Sequence, residues 1–185
     1  TEAQESENPD IVVWSETAFV PGIDWHTRYR TNQDSFRLVK RLRDYLNEQS
    51  IPFVIGNDDG QLAQPGQPPV NWDGSLNRID YNAAILYIDG EIDKTYRKLH
   101  LVPFTEGFPF KESLSGIYNW LLAADTHFWE KGEEYTVFEA DSVKFSTPIC
   151  FEDTFGYLSR GFVRHGAQVI VNMTNDSWSK SVASE

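Results

Sequence analysis

Short apolar runs alternate along the chain with segments of helical periodicity, and this alternation limits the possible fold more than any other feature. The pattern predicts strands at residues 11–14, 51–55, 83–88, 91–96, 135–138, 143–149 and 168–173. It predicts helices at 33–47, around 117–128 and at 153–164. Strands that alternate with helices pack as a sheet covered by helices, so we expect one α/β domain over residues 1–185.

Turn-forming residues separate these elements. Asp89-Gly90 is a strong two-residue hairpin signal, and Asn32 or Thr31 is suited to cap the helix that starts at Gln33. Glycines and prolines predict surface loops over 58–78 and 99–112. The acidic residues at the start predict a flexible, solvated segment over 1–10.

Composition excludes several classes of partner. The chain has 28 acidic against 16 basic residues, a formal net charge of −12, which argues against nucleic acid and against attraction to anionic lipid. Its one cysteine allows no internal disulfide, and no run of 18 apolar residues is present. The four histidines show no metal-ligand spacing, so we expect neither a metal nor another cofactor; they are His26, His100, His127 and His165.

Cys150 is the first candidate for a reactive residue. It closes an apolar strand and precedes Phe151 and Glu152, where a helix is expected to open. Backbone N–H groups and the partial positive charge at a helix N-terminus favour a thiolate and stabilise a developing oxyanion. The alternative is that Cys150 is a small, inert, buried hydrophobic residue.

Glu16 and Lys98 also lie at expected strand ends, where an α/β sheet assembles its sites. Taken singly, each is explained as a solvated surface charge. Together with Cys150 they supply a general base, a cation that offsets oxyanion charge and a nucleophile. The sequence therefore indicates a site for nucleophilic acyl chemistry, provided that the three side chains converge.

Three motifs carry a resemblance to a known family. Residues 14–18 are Trp-Ser-Glu-Thr-Ala, residues 96–104 are Tyr-Arg-Lys-Leu-His-Leu-Val-Pro-Phe, and residues 148–152 are Pro-Ile-Cys-Phe-Glu. In order and separation they resemble the glutamate–lysine–cysteine motifs of the nitrilase (carbon–nitrogen hydrolase) superfamily. The resemblance implies an α-β-β-α sandwich with Glu16, Lys98 and Cys150 as the catalytic residues.

Within that superfamily the chain looks most like the apolipoprotein N-acyltransferases. Residues 101–106 are Leu-Val-Pro-Phe-Thr-Glu, with Thr105 where that family usually has glycine, and residues 175–178 are Asn-Asp-Ser-Trp; Tyr81-Asn82-Ala83 also fits. The resemblance implies supporting roles for Glu106, Phe151 and Glu152, with Phe151 where tyrosine is common. It also implies a substrate pocket formed by Asn175, Asp176 and Trp178, for which a simple turn is an equally good explanation. For Glu152 alone, the helix dipole is an equally good explanation.

This resemblance implies an acyltransferase that takes a fatty acyl group from a phospholipid and passes it, through a cysteine thioester, to a diacylglyceryl-cysteine lipoprotein. It further implies a monomer on the periplasmic side of the bacterial inner membrane, attached through membrane segments that these 185 residues lack. Because the family's fold continues past the Asn-Asp-x-Trp segment, we expect a sheet truncated at its C-terminal end and little activity from these residues alone.

Two alternatives remain at this level. A soluble amidase or glutaminase would use the same triad with water as the second nucleophile, and a non-catalytic α/β binding module would keep only the fold. The aromatic residues Trp120, Phe128 and Trp129 are suited either to a lid at the bilayer surface or to core packing, and the large number of tryptophans favours core packing.

Overall fold

Strands in two sheets carry most of the buried apolar residues in this computed structural model, which describes residues 9–123 and 128–175. The first sheet contains β1 (Val12–Val13), β2 (Phe53–Leu62), β3 (Arg78–Ile88) and β4 (Glu91–Arg97), in that spatial order. The second contains β5 (Phe138–Ala140), β6 (Val143–Ser146) and β7 (Val169–Ile170). The β1–β2 and β6–β7 pairs are parallel and the other pairs are antiparallel.

Helices cover the sheets. They are α1 (Ile23–Tyr29), α2 (Gln33–Asn47), α3 (Ser115–Ala123) and α4 (Gly156–Arg164), with a 3₁₀ helix at Cys150–Thr154. The predicted bounds of α2 are confirmed, and Asn32 caps it by accepting hydrogen bonds from the backbone N–H groups of Asp34 and Ser35 at 3.0 Å.

The β3–β4 hairpin is also confirmed. Asp89 and Gly90 have φ angles of 51° and 75°. Positive φ at both central residues defines the turn that matches the twist of two antiparallel strands. Ile88 consequently pairs with Glu91 across the turn.

The central strands β2 and β3 of the first sheet are buried on both faces for most of their length. On one face Phe53, Ile55 and Ile85 pack against Val39 and Leu42 of α2. On the other face a second cluster joins the first sheet to the second sheet and α4; its members include Val54, Leu86, Tyr96, Phe138 and Phe162. The predicted α/β fold with helical and sheet layers is therefore confirmed.

Strands β2 and β3 are longer than the sequence predicts, so the expected loop over 58–78 is wrong at both ends. The added strand length contains buried polar side chains that find distant partners. Asn57 Nδ2 donates to the carbonyl oxygen of Phe19 at 2.6 Å, and Asp59 accepts from Arg97 Nε at 2.6 Å. Hydrogen bonding removes the penalty for burying such groups, and local periodicity does not show these partners.

Other boundaries also differ. The sequence does not predict α1, whose seven residues are too few to establish a helical period. The helix expected over 153–164 is divided, because Phe155 has extended backbone (φ −95°, ψ 90°) between the 3₁₀ helix and α4. The strand expected over 168–173 is reduced to β7 and a bridge between Ile149 and Met173. Residues 1–8 of the predicted acidic tail lie outside the described residues.

Candidate active site

Glu16 follows β1 and lies inside the molecule with 5% of its surface exposed. Its position depends on Gly56 of the neighbouring strand. A Cβ at Gly56 would lie 2.3 Å from the carbonyl oxygen of Ser15 and 2.8 Å from Glu16 Cα. Only glycine permits this approach, so β2 holds the Glu16 backbone against the sheet.

Lys98 follows β4 and is completely buried. Its Nζ lies 2.7 Å from Glu106 Oε1 and 3.6 Å from Glu16 Oε1. A buried ammonium group is tolerated when carboxylates surround it, and here two of them do so. The structure thus brings together Glu16 and Lys98, which lie far apart in the sequence.

Cys150 occupies the first position of the 3₁₀ helix with a φ of 54°. This left-handed conformation is costly for a residue with a side chain and is typical of strained functional positions. The backbone N–H of Cys150 donates to the carbonyl oxygen of Met173 at 2.7 Å, which anchors the turn to the chain after β7.

The charges of both Glu16 and Lys98 shift the pKa of the Cys150 thiol, so the thiol lies near both side chains. Burial raises the pKa of its thiol, and the negative charge of Glu16 raises that pKa further. Lys98, the backbone N–H of Phe151 and the hydroxyl of Thr174 act in the opposite direction but do not reverse the shift. The backbone N–H of Phe151 does favour the thiolate, as expected at this turn, but burial outweighs it, so the thiol needs a base to take its proton.

The Glu152 carboxylate is buried and hydrogen-bonded to several segments; it is not a solvated carboxylate at the start of a helix. Its side chain is fully buried and accepts hydrogen bonds from the backbone N–H groups of Ile149 and Leu99, both at 2.8 Å, and of His100 at 2.9 Å. The Tyr96 hydroxyl also donates to it at 2.8 Å. Burial raises the pKa of Glu152, while these hydrogen bonds oppose that rise. Glu152 thus connects the Cys150 turn with the chain on both sides of Lys98.

The other two supporting residues also lie beside Lys98. Glu106 Oε2 accepts from the backbone N–H of Val102 at 2.9 Å while its other oxygen binds Lys98, so the carboxylate is fixed at both ends. The Phe151 ring centroid lies 5.8 Å from Lys98 Nζ, within cation–π range.

Only part of the predicted substrate pocket lies within the described residues. Asn175 Nδ2 donates to the carbonyl oxygen of Glu16 at 3.2 Å, so Asn175 supports the Glu16 backbone. Asp176 and Trp178 lie outside the described residues.

The sequence analysis assigned no role at the site to two residues, Asn82 and Thr174. Asn82 Nδ2 donates to Glu16 Oε1 at 2.8 Å, and the Thr174 hydroxyl interacts with the Cys150 thiol. Their positions in the sequence were the available signal: Asn82 directly precedes the apolar strand expected over 83–88, and Thr174 directly follows the strand expected over 168–173.

A cavity of about 490 Å³ opens next to the residues that follow Lys98. Its lining includes Leu99, His100 and Leu101 together with Phe108 and Phe128. The Phe108 and Phe128 rings pack together at 5.8 Å, and Tyr118 stacks on Phe128 at the same distance. The cavity therefore offers an aromatic wall suited to an apolar ligand.

Core packing, the interpretation favoured by the sequence for the aromatic residues, is wrong for Trp120. This side chain on α3 is 68% exposed. Trp129 is half-buried, and its Nε1 donates to Asp58 at 3.1 Å. Phe104 and Phe110 are 69% and 75% exposed. The loop around the cavity thus exposes large apolar side chains.

No group of three histidine, cysteine or acidic side chains in residues 9–123 and 128–175 is arranged to hold a metal ion. No helix in the same described part of the chain is long and apolar enough to cross a membrane. The site brings together a thiol, two carboxylates and an ammonium group, a set suited to covalent acyl chemistry.

Comparison with known proteins defines the class. The carbon-nitrogen hydrolase family model matches residues 1–185, and the chain belongs to that family. More specifically, it is 50% identical over 179 residues to apolipoprotein N-acyltransferase 1 of Treponema pallidum, and 48% identical over 186 residues to that of Treponema denticola. These matches cover 94% and 96% of this chain but 32% and 34% of the relatives, so the chain spans about a third of their length.

Solved structures share the fold at low sequence identity. The glutamine-dependent NAD+ synthetase of Acinetobacter baumannii superposes with a TM-score of 0.56 at 18% identity, covering 94% of this chain and 27% of that chain. A mutant amidase of Nesterenkonia sp. AN1, with acrylamide added at its active site cysteine, also has a TM-score of 0.56, at 16% identity and covering 94% and 56%. At these identities the likeness establishes the fold alone.

Proposed function

We propose that this protein is an acyltransferase that moves a fatty acyl group from a phospholipid to the N-terminal amine of a diacylglyceryl-cysteine lipoprotein. The observation that carries the proposal is the buried Lys98 ammonium held between Glu16 and Glu106 beside the Cys150 thiol. The similarity to the two Treponema acyltransferases supports the choice of this reaction within the family.

The first half-reaction forms a thioester. Glu16 takes the proton from Cys150 as Sγ bonds to the carbonyl carbon of the phospholipid ester. Lys98 and the backbone N–H of Phe151 stabilise the negative charge that develops on the carbonyl oxygen. When the intermediate collapses, the bond from carbon to the alcohol oxygen breaks, and the lysophospholipid leaves with the proton that Glu16 held.

The second half-reaction releases the acyl group to an amine. The lipoprotein amine attacks the thioester carbon, and its nitrogen becomes positively charged in the tetrahedral intermediate. Glu16 takes a proton from this nitrogen. The carbon–sulfur bond then breaks to leave an amide, and the Cys150 thiolate receives the proton from Glu16. A thioester suits this exchange because an amine attacks it more readily than water does. A soluble amidase would use the same triad with water as the second nucleophile, and the similarity to the two Treponema acyltransferases favours the transferase over it.

The aromatic cavity supplies a place for the acyl chain. Its wall at Phe108 and Phe128 lies beside Leu99 and His100, which directly follow Lys98. Burial of methylene groups against this wall is favourable by about 0.8 kcal/mol each. The free energy of binding a long fatty acyl chain to this surface is therefore substantial.

The exposed apolar side chains support a membrane-facing position for this loop. Phe104, Phe110 and Trp120 are all exposed. Tryptophan settles at the boundary between lipid and water, and apolar phenylalanine rings are suited to insertion at the same boundary. We place the domain on the periplasmic side of the bacterial inner membrane, where it acts as a monomer on phospholipid and lipoprotein.

A transfer assay tests this function. The protein expressed from its complete gene is incubated with phospholipid and a synthetic diacylglyceryl-cysteine peptide, and mass spectrometry follows the peptide and the lysophospholipid. We expect equal amounts of N-acylated peptide and lysophospholipid, and neither product with Cys150→Ala. Lysophospholipid and free fatty acid without N-acylated peptide would favour a hydrolase instead.

A further inference from the structure

Asn82 joins two residues of the triad through different atoms. Its side-chain Nδ2 donates to Glu16 Oε1 at 2.8 Å, and its carbonyl oxygen accepts the backbone N–H of Lys98 at 2.8 Å. Asn82 is 2% exposed and lies on β3, between the strands β2 and β4. One residue therefore fixes the spacing of the carboxylate and the ammonium group.

The contacts of Glu16 are unequally divided between its two oxygens. Asn82 and Lys98 both approach Oε1, at 2.8 and 3.6 Å. Both of these contacts therefore lie on the Oε1 side of the carboxylate. A carboxylate held by one oxygen keeps the second free to accept a proton, so the amide determines which oxygen acts.

We propose that Asn82 is a positioning residue that orients Glu16 so that Oε2 accepts the proton of the Cys150 thiol. This inference rests on the proposed function, because it assigns a role within the same acylation step. The amide is suited to this role because it donates without carrying charge. Its hydrogen bond holds the carboxylate in one orientation.

The charged environment defines what a substitution would do. Among the described residues, the titratable groups that face Glu16 are Lys98 from the end of β4, Cys150 from the 3₁₀ helix and, behind Lys98, Glu106 from the following loop. Asn82→Asp keeps the shape of the side chain but brings a second carboxylate to hydrogen-bond distance. Two such carboxylates share one proton, which raises the pKa at which the pair loses it.

The main-chain hydrogen bond between Asn82 and Lys98 allows the role of the Asn82 side chain to be tested separately from strand pairing. The carbonyl oxygen of Asn82 accepts from Lys98 whatever the side chain, so substitutions at Asn82 preserve this hydrogen bond. Asn77 provides a matched control, because it is also a buried asparagine (4% exposed) but its side chain contacts only the loop around Gln64 and Pro68.

The experiment measures the rate of Cys150 acylation by p-nitrophenyl butyrate as a function of pH, by intact-protein mass spectrometry, with the protein expressed from its complete gene. For Asn82→Asp we expect the acidic limb of this profile to move to higher pH by about one unit or more. For Asn82→Ala we expect about tenfold slower acylation, because the hydrogen bond that orients the base is lost. Asn77→Ala should lower the melting temperature and leave the limb in place.

The possible outcomes distinguish failure of the Asn82 inference from failure of the proposed function. If the wild type is acylated but Asn82→Asp has the same acidic limb, Asn82 is only a structural residue and the inference is overturned, while the proposed function stands. If the wild type is acylated neither by this ester nor by phospholipid, the proposed function itself fails. A shifted limb for Asn82→Asp together with an unchanged limb for Asn77→Ala supports the positioning role.

Discussion

The Tyr96 hydroxyl donates a 2.8 Å hydrogen bond to the Glu152 carboxylate. This contact connects β4, the strand before Lys98, with the turn that contains Cys150. Glu152 accepts three further hydrogen bonds from the backbone N–H groups of Ile149, Leu99 and His100. Every one of these partners is a donor. The geometry of the site therefore depends on an acceptor at position 152.

Glu152→Gln tests this dependence. The substitution preserves shape but turns one acceptor oxygen into an NH₂ group that faces buried donors. We expect the free energy of unfolding to fall by about 3 kcal/mol, since an unsatisfied buried donor costs about 1–3 kcal/mol. Urea titration measures the effect, with Glu139→Gln on the exposed side of β5 as the control. Equal stabilities of the two variants would contradict the role given to Glu152.

Glu16→Gln should affect two reactions of Cys150 in opposite directions. Acylation by a neutral ester should slow by about 100-fold or more, because a positioned general base contributes at least this much. Rapid-quench measurement of acyl-enzyme formation tests this expectation. An acylation rate within a few-fold of the wild type would rule out Glu16 as the base.

Alkylation of the thiolate should become easier in the same variant. The negative charge of Glu16 raises the pKa of Cys150, so its removal lowers that pKa and moves the alkylation midpoint to lower pH. The measurement is the rate of iodoacetamide labelling against pH, with Cys150→Ser as the blank. A midpoint that stays in place or moves upward would show that Glu16 does not face the thiol.

Lys98→Met tests the buried ion pairs. The change keeps the length of the side chain but leaves Glu16 and Glu106 buried without their cation, and we expect a loss of about 3–5 kcal/mol in stability. Lys111→Met is the matched control, because the Lys111–Glu130 pair is partly exposed and is worth at most about 1 kcal/mol. Chemical denaturation distinguishes the two; a similar small loss for both would contradict the account.

Phe108→Ala tests the acyl cavity. We expect weaker use of long-chain acyl donors, by about tenfold in kcat/KM, because apolar surface against the chain is removed. Short donors such as p-nitrophenyl acetate should react at the wild-type rate. The measurement is a series of p-nitrophenyl esters of increasing chain length, and an equal loss at every length would place the acyl chain elsewhere.

The sequence predicts those parts of the fold that local chemistry determines. Asp89-Gly90 determines a hairpin because both residues tolerate positive φ, and Asn32 caps α2 with its own side chain. The extension of β2 through Asn57 and Asp59 was not predicted, because the partners that make their burial acceptable come from distant segments.

The same distinction applies to the site. The motifs around Glu16, Lys98 and Cys150 predict that these three side chains lie close together, and the structure brings their segments together. The role of Glu152 was not evident, because two of its backbone donors lie more than 50 residues away. The raised pKa of Cys150 was likewise missed, since burial is a property of the whole fold and the neighbouring sequence suggested only the helix terminus.

The central claim is that Cys150 carries the acyl group between donor and acceptor. The most direct test is intact-mass analysis of the protein, expressed from its complete gene, after incubation with a dipalmitoyl phospholipid and no amine acceptor. We expect a palmitoyl-sized adduct that hydroxylamine removes, that peptide mapping assigns to Cys150 and that Cys150→Ala lacks. An adduct at another residue, or transfer to the lipoprotein amine by Cys150→Ala, would contradict the claim.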